Sequence, residues 1–355
     1  MGTLPLIEVQ RRQARQALPP EVVAYVEAGS WAEITAGEAV DAWRQIRLRP
    51  RVLRDVSRPD LSTTILGAPL AAPLLSAPSA YHGLLHPDGE VATAAGVAAA
   101  GTLLVLSSRS SAGIEEVAAA AGAWWYQVYV LADRVLTAQL VKRAARAGAG
   151  ALVLTGDTPV TGTKPRAPAI PLPAGLRHAN TGRHMAAGVL ADEGAALAAT
   201  TQDASVGPEA IGWLADLSGL PVLVKGVLRD DDAAMCIEAG AAGLIVSNHG
   251  GRQLDQAVAT ADALVEVVEA AAGRVPVIVD GGVHDGVAAL SALALGASAV
   301  MVGRPVQWAL AAGGAAGVEQ LFAELSADLR RAMVLAGAGT LADLGRSLVW
   351  ADPGR

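Results

Sequence analysis

Eight short apolar runs, spaced by helix-length stretches and each ending in a polar or glycine-rich step, predict an α/β fold, a (β/α)8 barrel of the TIM type. The runs are APLLSA (72–77), TLLVLS (102–107), WYQVYV (125–130), ALVLTG (151–156), PVLVKG (221–226), GLIVSN (243–248), PVIVDG (276–281) and SAVMVG (298–303). Apart from Lys225 and Asp280 near their ends they carry no charge, as strands buried on both faces require. A doubly wound open sheet is the competing reading, but it commonly has fewer strands. With 52% hydrophobic and 17% charged residues in 355, the chain can fill one large core.

Taken in order, residues 1–70 precede the first strand and read as an N-terminal helical extension. The windows 91–108 and 286–303 are each uncharged for 18 residues, long enough to suggest a membrane span. Gly101 and Gly296 split them into an Ala-rich half and a β-branched half, which is helix followed by strand. After the fourth strand, residues 157–206 (DTPVTGTKPRAPAIPLPAGLRHANTGRHMAAG and on) are too long for an ordinary βα connection and read as a lid loop. The expected organisation is one barrel domain over 1–355.

A net charge of −7 and a pI near 5.4, with no basic stripe, argue against nucleic acid or an anionic membrane as partner. MGTLPLIEVQRRQARQ lacks the apolar core of a leader, and the single Cys236 cannot form an internal disulfide. Both features fit a cytoplasmic protein.

In such barrels the chemistry sits where strands end on the C-terminal face. There this chain delivers Pro78-Ser79, Ser107-Ser108, Gln127, Tyr129, Thr155 and Asp157. It continues with Lys225, then Ser247, His249 and Arg252, then Asp280-Gly281-Gly282, and last Gly303-Arg304. The glycine-rich ends of strands seven and eight suit a phosphate, whose oxygens backbone N–H groups can cradle. Lys225 is placed to stabilise developing negative charge, the alternative being a structural ion pair. His249 can act as a base near neutral pH with Asp157 orienting it, and Arg252 offers a fork for a carboxylate. A lone histidine is more often a satisfied core residue, but one with an arginine three residues on, at a strand end, points to catalysis. His82 and His86, with Gly83 and Pro87 between and after them, do not form a metal-binding helix face, and His178 and His184 fall in the lid; no metal site is expected.

The segments LPPEVVAYVEAGS, APSAYHGLLHPDGE, GTLLVLSSRS, YQVYV, LTGDTP, LPVLVKGV, SNHGGRQLD, VDGGVHDG and ALGASAVMVGRP, in this order from about 18 to 350, resemble the FMN-dependent α-hydroxy acid oxidases and dehydrogenases. Glycolate, lactate and mandelate oxidising enzymes are among them, and SNHGGRQLD is the most specific segment. The resemblance implies that His249 is the base that activates a 2-hydroxy acid, supported by Asp157, with Tyr25 and Arg252 on its carboxylate and Tyr129 by its hydroxyl. It implies FMN held by Pro78, Ser79, Ala80, Ser107, Gln127, Thr155, Lys225 and Ser247. The FMN phosphate would lie on Asp280, Gly281, Gly282 and His284 and on Gly303 and Arg304. It also implies electrons passing to O2 or another acceptor, and a homo-oligomer, a tetramer in relatives.

Three departures stand out. Lys164 replaces an arginine that would be the second cation on the carboxylate, His284 replaces an arginine on the phosphate loop, and Arg109 stands where relatives carry an aromatic or small residue. Arg109 either recognises a second acidic group on the substrate or points to solvent. The expected function is oxidation of an (S)-2-hydroxy acid to the 2-oxo acid. Its alternatives are a larger tailored metabolite or peptide terminus as substrate, a phosphate-binding isomerase or lyase, and a non-catalytic flavin-binding paralogue.

Overall fold

The structure, a computed structural model, describes residues 4–167, 176, 179–181 and 200–350. The lid expected over 157–206, with His178 and His184, falls largely outside these residues.

Eight parallel strands close on themselves: β3 (Leu74–Ser76), β4 (Leu103–Leu106), β5 (Trp124–Val128), β6 (Leu152–Thr155), β7 (Val222–Val227), β8 (Gly243–Val246), β9 (Val277–Val279) and β10 (Ala299–Val302). Closure runs through Val300 opposite Leu74, Met301 opposite Leu75 and Val302 opposite Ser76. All eight coincide with the runs read from the sequence. The two uncharged windows resolve as helix then strand, Gly89–Ala99 into β4 and Gly286–Ala294 into β10.

Successive strand side chains point to opposite faces, so parity sorts them into two cores. One parity gives the barrel interior, with Leu75, Leu103, Val105, Trp125, Val153, Leu223, Ile245, Ile278 and Met301 in a single cluster. The other parity, including Leu74, Leu104, Tyr126, Leu152, Val224, Leu244 and Val300, packs against the surrounding helices. A short antiparallel hairpin, β1 (Thr63–Ile65) and β2 (Ala68–Leu70), contributes Ile65 and Leu70 to the interior cluster from the side where β9 and β10 begin. Extending the inward parity two residues past the apolar layer reaches Ser107, Gln127, Thr155, Lys225, Ser247, Asp280 and Gly303. The pleat thus aims a polar layer into the C-terminal mouth.

Three helices precede the hairpin: α1 (Leu6–Ala17), α2 (Pro20–Glu27) and α3 (Ile34–Gln45). They confirm the helical extension and tie it to the barrel. Gln10 Nε2 donates to Gly317 O at 2.9 Å, in the long helix Arg304–Ala336, and Trp43 Nε1 of α3 donates to Gly281 O at 2.7 Å.

Candidate active site

A cavity of about 990 Å³ opens at the C-terminal mouth, near the upper end of the roughly 300–1,000 Å³ common for ligand sites. Its wall carries Tyr25, Pro78, Ser79, Ala80, Ser107, Arg109, Gln127, Tyr129, Thr155, Lys164, Lys225, His249, Arg252, Asp280, Gly281, Gly282, His284, Gly303 and Arg304. Of the strand-end residues singled out in the sequence, Ser108, Asp157 and Ser247 are off the wall, each hydrogen-bonded to a residue that is on it. Among the described residues no cluster of three His, Cys, Asp or Glu is placed to hold a metal.

His249 lies two residues beyond inward-facing Ser247 and adopts a left-handed backbone, φ 58°, with its N–H donating to Ser247 Oγ at 3.0 Å. Its Nδ1 is 3.0 Å from Asp157 Oδ1. A proton on Nδ1 shared with that carboxylate makes Nε2 the basic nitrogen. Burial alone would raise the Asp157 carboxyl, but the charge and hydrogen bond of His249, with smaller help from Lys225 and Thr158, hold it below the usual carboxylate range. Thr158 Oγ1 donates to Asp157 Oδ1 at 3.0 Å and accepts from Gln253 Nε2 at 2.6 Å. Gly226 makes room for this pair: at φ 108°, a Cβ there would stand 2.6 Å from Asp157 Cβ.

The floor is a polar belt. Lys225, 4% exposed, donates to Ser247 Oγ at 2.6 Å and pairs with Asp280 Oδ2 at 3.0 Å. Gln127 donates to Thr155 Oγ1 at 2.8 Å and accepts from the Ser108 N–H at 3.1 Å and Ser107 Oγ at 3.3 Å. A cation held by one carboxylate, beside neutral donors and acceptors, suits a flat heteroaromatic ring with carbonyl edges. Ser79, at the edge of this belt, meets His82 Nε2 at 2.7 Å, and His82 Nδ1 meets Thr93 Oγ1 at 2.8 Å. Glu90, also buried, accepts the backbone N–H groups of His82 and Ser111 at 2.9 Å each. Burial pushes the His82 ring pKa down, so it serves as a neutral brace for the 78–80 turn.

At one end the glycine turns and a helix start form an anion pole. Gly281 and Gly282 have φ of 88° and 80°, and a Cβ on Gly282 would stand 2.0 Å from Ala39 O of α3. Only glycine lets this loop pass so close. Gly303 caps the helix that begins at Arg304, whose free N–H groups favour an anion. Burial, then the neighbouring Arg252, bring the Arg304 guanidinium down to about 10, and its hydrogen bonds go to Val26 O (3.2 Å) and Ala28 O (3.3 Å) rather than to a carboxylate. Burial, then Arg304, Arg11 and Arg44, bring His284 down to about 4. It is neutral at pH 7 and lies edge-on to Trp308, ring centroids 5.8 Å apart.

Beside it lies a second cationic group, sharing the Val26 and Ala28 carbonyls. Arg252 Nη1 donates to the carbonyls of Tyr25 (2.9 Å), Val26 (3.3 Å) and Ala28 (2.7 Å), at the C-terminal end of α2, and its guanidinium carbon lies 5.3 Å from the Tyr25 ring centroid. Burial pushes the hydroxyls of Tyr25 and Tyr129 up to about 12, so both remain donors at neutral pH. Burial and Arg252 bring Lys164 down to about 8, and its Nζ donates to Gly162 O at 2.8 Å. Arg109 Nη2 donates to Thr200 O at 2.7 Å.

Sequence alone did not single out Thr158, Gln253 or Glu90, and it weighed His82 only as a metal ligand. The first two adjoin Asp157 and Arg252 and could have been found by proximity. His82 and Glu90 are eight residues apart across a turn and a helix start, a spacing with no periodic signature.

Residues 14–351 match the family described as FMN-dependent dehydrogenase. The chain is 41% identical to glycolate oxidase 1 of Oryza sativa subsp. indica over 366 residues, covering 100% of this chain and 98% of that one. It is 43% identical to a peroxisomal (S)-2-hydroxyacid oxidase of Arabidopsis thaliana, covering 95% and 93%. Among solved structures it is similar to a mandelate oxidase with a TM-score of 0.90 at 37% identity over 99% of both chains.

Proposed function

The chain belongs to the FMN-dependent dehydrogenase family, and on that footing we propose that its C-terminal cavity oxidises an (S)-2-hydroxy acid to the 2-oxo acid, with O2 or another acceptor taking the electrons. The observation that carries this reading is the His249–Asp157 pair, 3.0 Å apart, on the same cavity as buried Lys225 and Arg252.

The residues present fit FMN. Buried Lys225 and the Gln127, Thr155 and Ser107 belt suit its ring, and Asp280, which has one buried carboxylate oxygen without a partner, suits a ribityl hydroxyl. Pro78, Ser79 and Ala80 would back the ring, and Ser247 would set Lys225. Gly281, Gly282, His284, Gly303 and Arg304 would hold the phosphate, with Arg304 supplying charge and His284 only a neutral ring nitrogen. FMN, when bound, supplies a two-electron acceptor beside the substrate carbon.

The chain's own residues do the rest. Arg252 and Lys164 neutralise the substrate carboxylate, and Tyr25 donates to it. Tyr129 donates to the substrate oxygen that becomes the carbonyl. His249 Nε2 accepts the proton that the hydroxy acid gives up, and Asp157 stabilises the imidazolium that results. We read 1–355 as one barrel domain working as a homo-tetramer, supported by the family resemblance, and place it in the cytoplasm on the single buried Cys236. Among the described residues no helix is long and apolar enough to cross a membrane.

The test is an anaerobic absorbance titration of the purified protein with lactate, glycolate, mandelate and 4-hydroxymandelate. The flavin band bleaches with at least one; prompt return on admitting air identifies O2 as the acceptor, and slow return identifies another. A colourless protein that does not take up added FMN refutes the reading.

A further inference from the structure

We propose that the substrate is a 2-hydroxy acid whose side chain ends in a second carboxylate, and that Arg109 binds that group; this rests on the 2-hydroxy acid reading above.

The cavity wall carries more cations than anions. Its described residues include five permanent or ordinary cations, Arg109, Lys164, Lys225, Arg252 and Arg304, against one carboxylate, Asp280. Asp280 is taken by Lys225 at 3.0 Å. A cofactor phosphate answers Arg304, and one substrate carboxylate answers Arg252 and Lys164. Among the described residues Arg109 then has no anion. Its one hydrogen bond from the guanidinium goes to a carbonyl, Thr200 O, and among the described residues it forms no ion pair. A half-buried guanidinium with donors to spare is a receptor for a planar anion.

The Arg109 backbone is fixed at both ends: its N–H donates to Ser107 Oγ at 3.1 Å, and its carbonyl accepts from the Tyr81 N–H at 3.2 Å. Ser107 is itself part of the polar floor with Gln127. The root of the side chain is therefore as rigid as the strand end that carries it.

The charge of Arg109 acts on the hydroxyls of both Tyr25 and Tyr129, the same two that feel Arg252. A ligand whose first carboxylate sits on Arg252 and whose hydroxyl faces His249 has only its side chain left to direct. That side chain shares the chamber with Arg109.

The competing role for Arg109 is a tether for the chain at Thr200. Holoenzyme kinetics on acids matched in carbon number separate the two: (S)-2-hydroxyglutarate against (S)-2-hydroxypentanoate, and (S)-malate against (S)-2-hydroxybutanoate. The wild type prefers each dicarboxylate in kcat/KM. Arg109→Met, checked for full FMN content, lowers the dicarboxylate to monocarboxylate ratio about tenfold to a hundredfold, and Arg109→Lys recovers part of it. A wild type that prefers the monoacids overturns the proposal. So does an Arg109→Met ratio equal to the wild-type ratio, with both acids slowed together, which is what a tether produces. If lactate or mandelate reduces the protein and the dicarboxylates do not, this inference fails while the 2-hydroxy acid reading stands; if no hydroxy acid reduces it, both fail.

Discussion

Replacing Asp157 by Asn isolates one interaction, because Asn keeps the shape and an acceptor oxygen for His249 Nδ1 and removes only the charge. The two groups are 3.0 Å apart. Once His249 has taken a proton, unit charges at that distance attract by about 1.4 kcal/mol at the dielectric of water and about 5.5 kcal/mol at an effective value of 20. The side chains are 24% and 14% exposed, so water reaches the pair in part and the working figure lies between these limits. At about 3–4 kcal/mol, the rate of substrate oxidation falls about 10²- to 10³-fold. Asp157 is off the cavity wall, so substrate affinity changes by no more than about threefold by the same logic of differential binding. Anaerobic rapid mixing of the FMN-loaded variant with substrate reads both quantities from the flavin band. A reduction rate close to wild type, or a loss confined to affinity, would refute the assignment of His249 as a base supported by charge.

Two further substitutions test other parts of the site. Gly282→Ala places a Cβ 2.0 Å from Ala39 O in a left-handed backbone, and strain plus overpacking of roughly 2–5 kcal/mol falls on the phosphate loop. Its FMN dissociation constant, followed by flavin fluorescence, rises at least about tenfold, and an unchanged constant contradicts the proposed cradle. Lys164, held near a pKa of about 8 by burial and Arg252, is charged below that pH and neutral above it. KM for a hydroxy acid therefore rises as pH climbs through about 8, and Lys164→Arg removes the rise because its guanidinium stays charged. A wild-type KM flat across that range excludes Lys164 from the carboxylate clamp.

Strand positions were legible because burial on both faces forbids charge, so Lys225 and Asp280 could stand only at the mouth. The inward layer followed from the same alternation, which put Gln127, Thr155 and Ser247 on one face as the apolar residues two before them. The hairpin Thr63–Leu70 escaped notice, since strands of three residues leave no pattern to count. Arg252 was read as a carboxylate ligand and lies on the cavity wall, but nothing local announces that it binds the carbonyls of Tyr25, Val26 and Ala28. Such contacts are set by how the extension docks. His284 was legible only as a departure from arginine; the burial and the neighbouring Arg304, Arg11 and Arg44 that keep its ring neutral are tertiary and leave no local mark.

The shared use of the α2 carbonyls by Arg252 and Arg304 also sets a clock on synthesis. Arg252 meets Tyr25 across 227 residues of chain, and Arg304 meets Val26 across 278. At about 5–20 residues per second, roughly 14–56 s separate translation of Val26 from that of Arg304. Until residue 252 is made α2 has neither of its arginines, and until residue 304 the mouth of the barrel has no finished cationic wall. A nascent chain therefore cannot turn over substrate early: one that stalls before residue 304 lacks the anion pole, and one that stalls before residue 252 also leaves the carbonyls of α2 open to solvent, a defect that proteases can find.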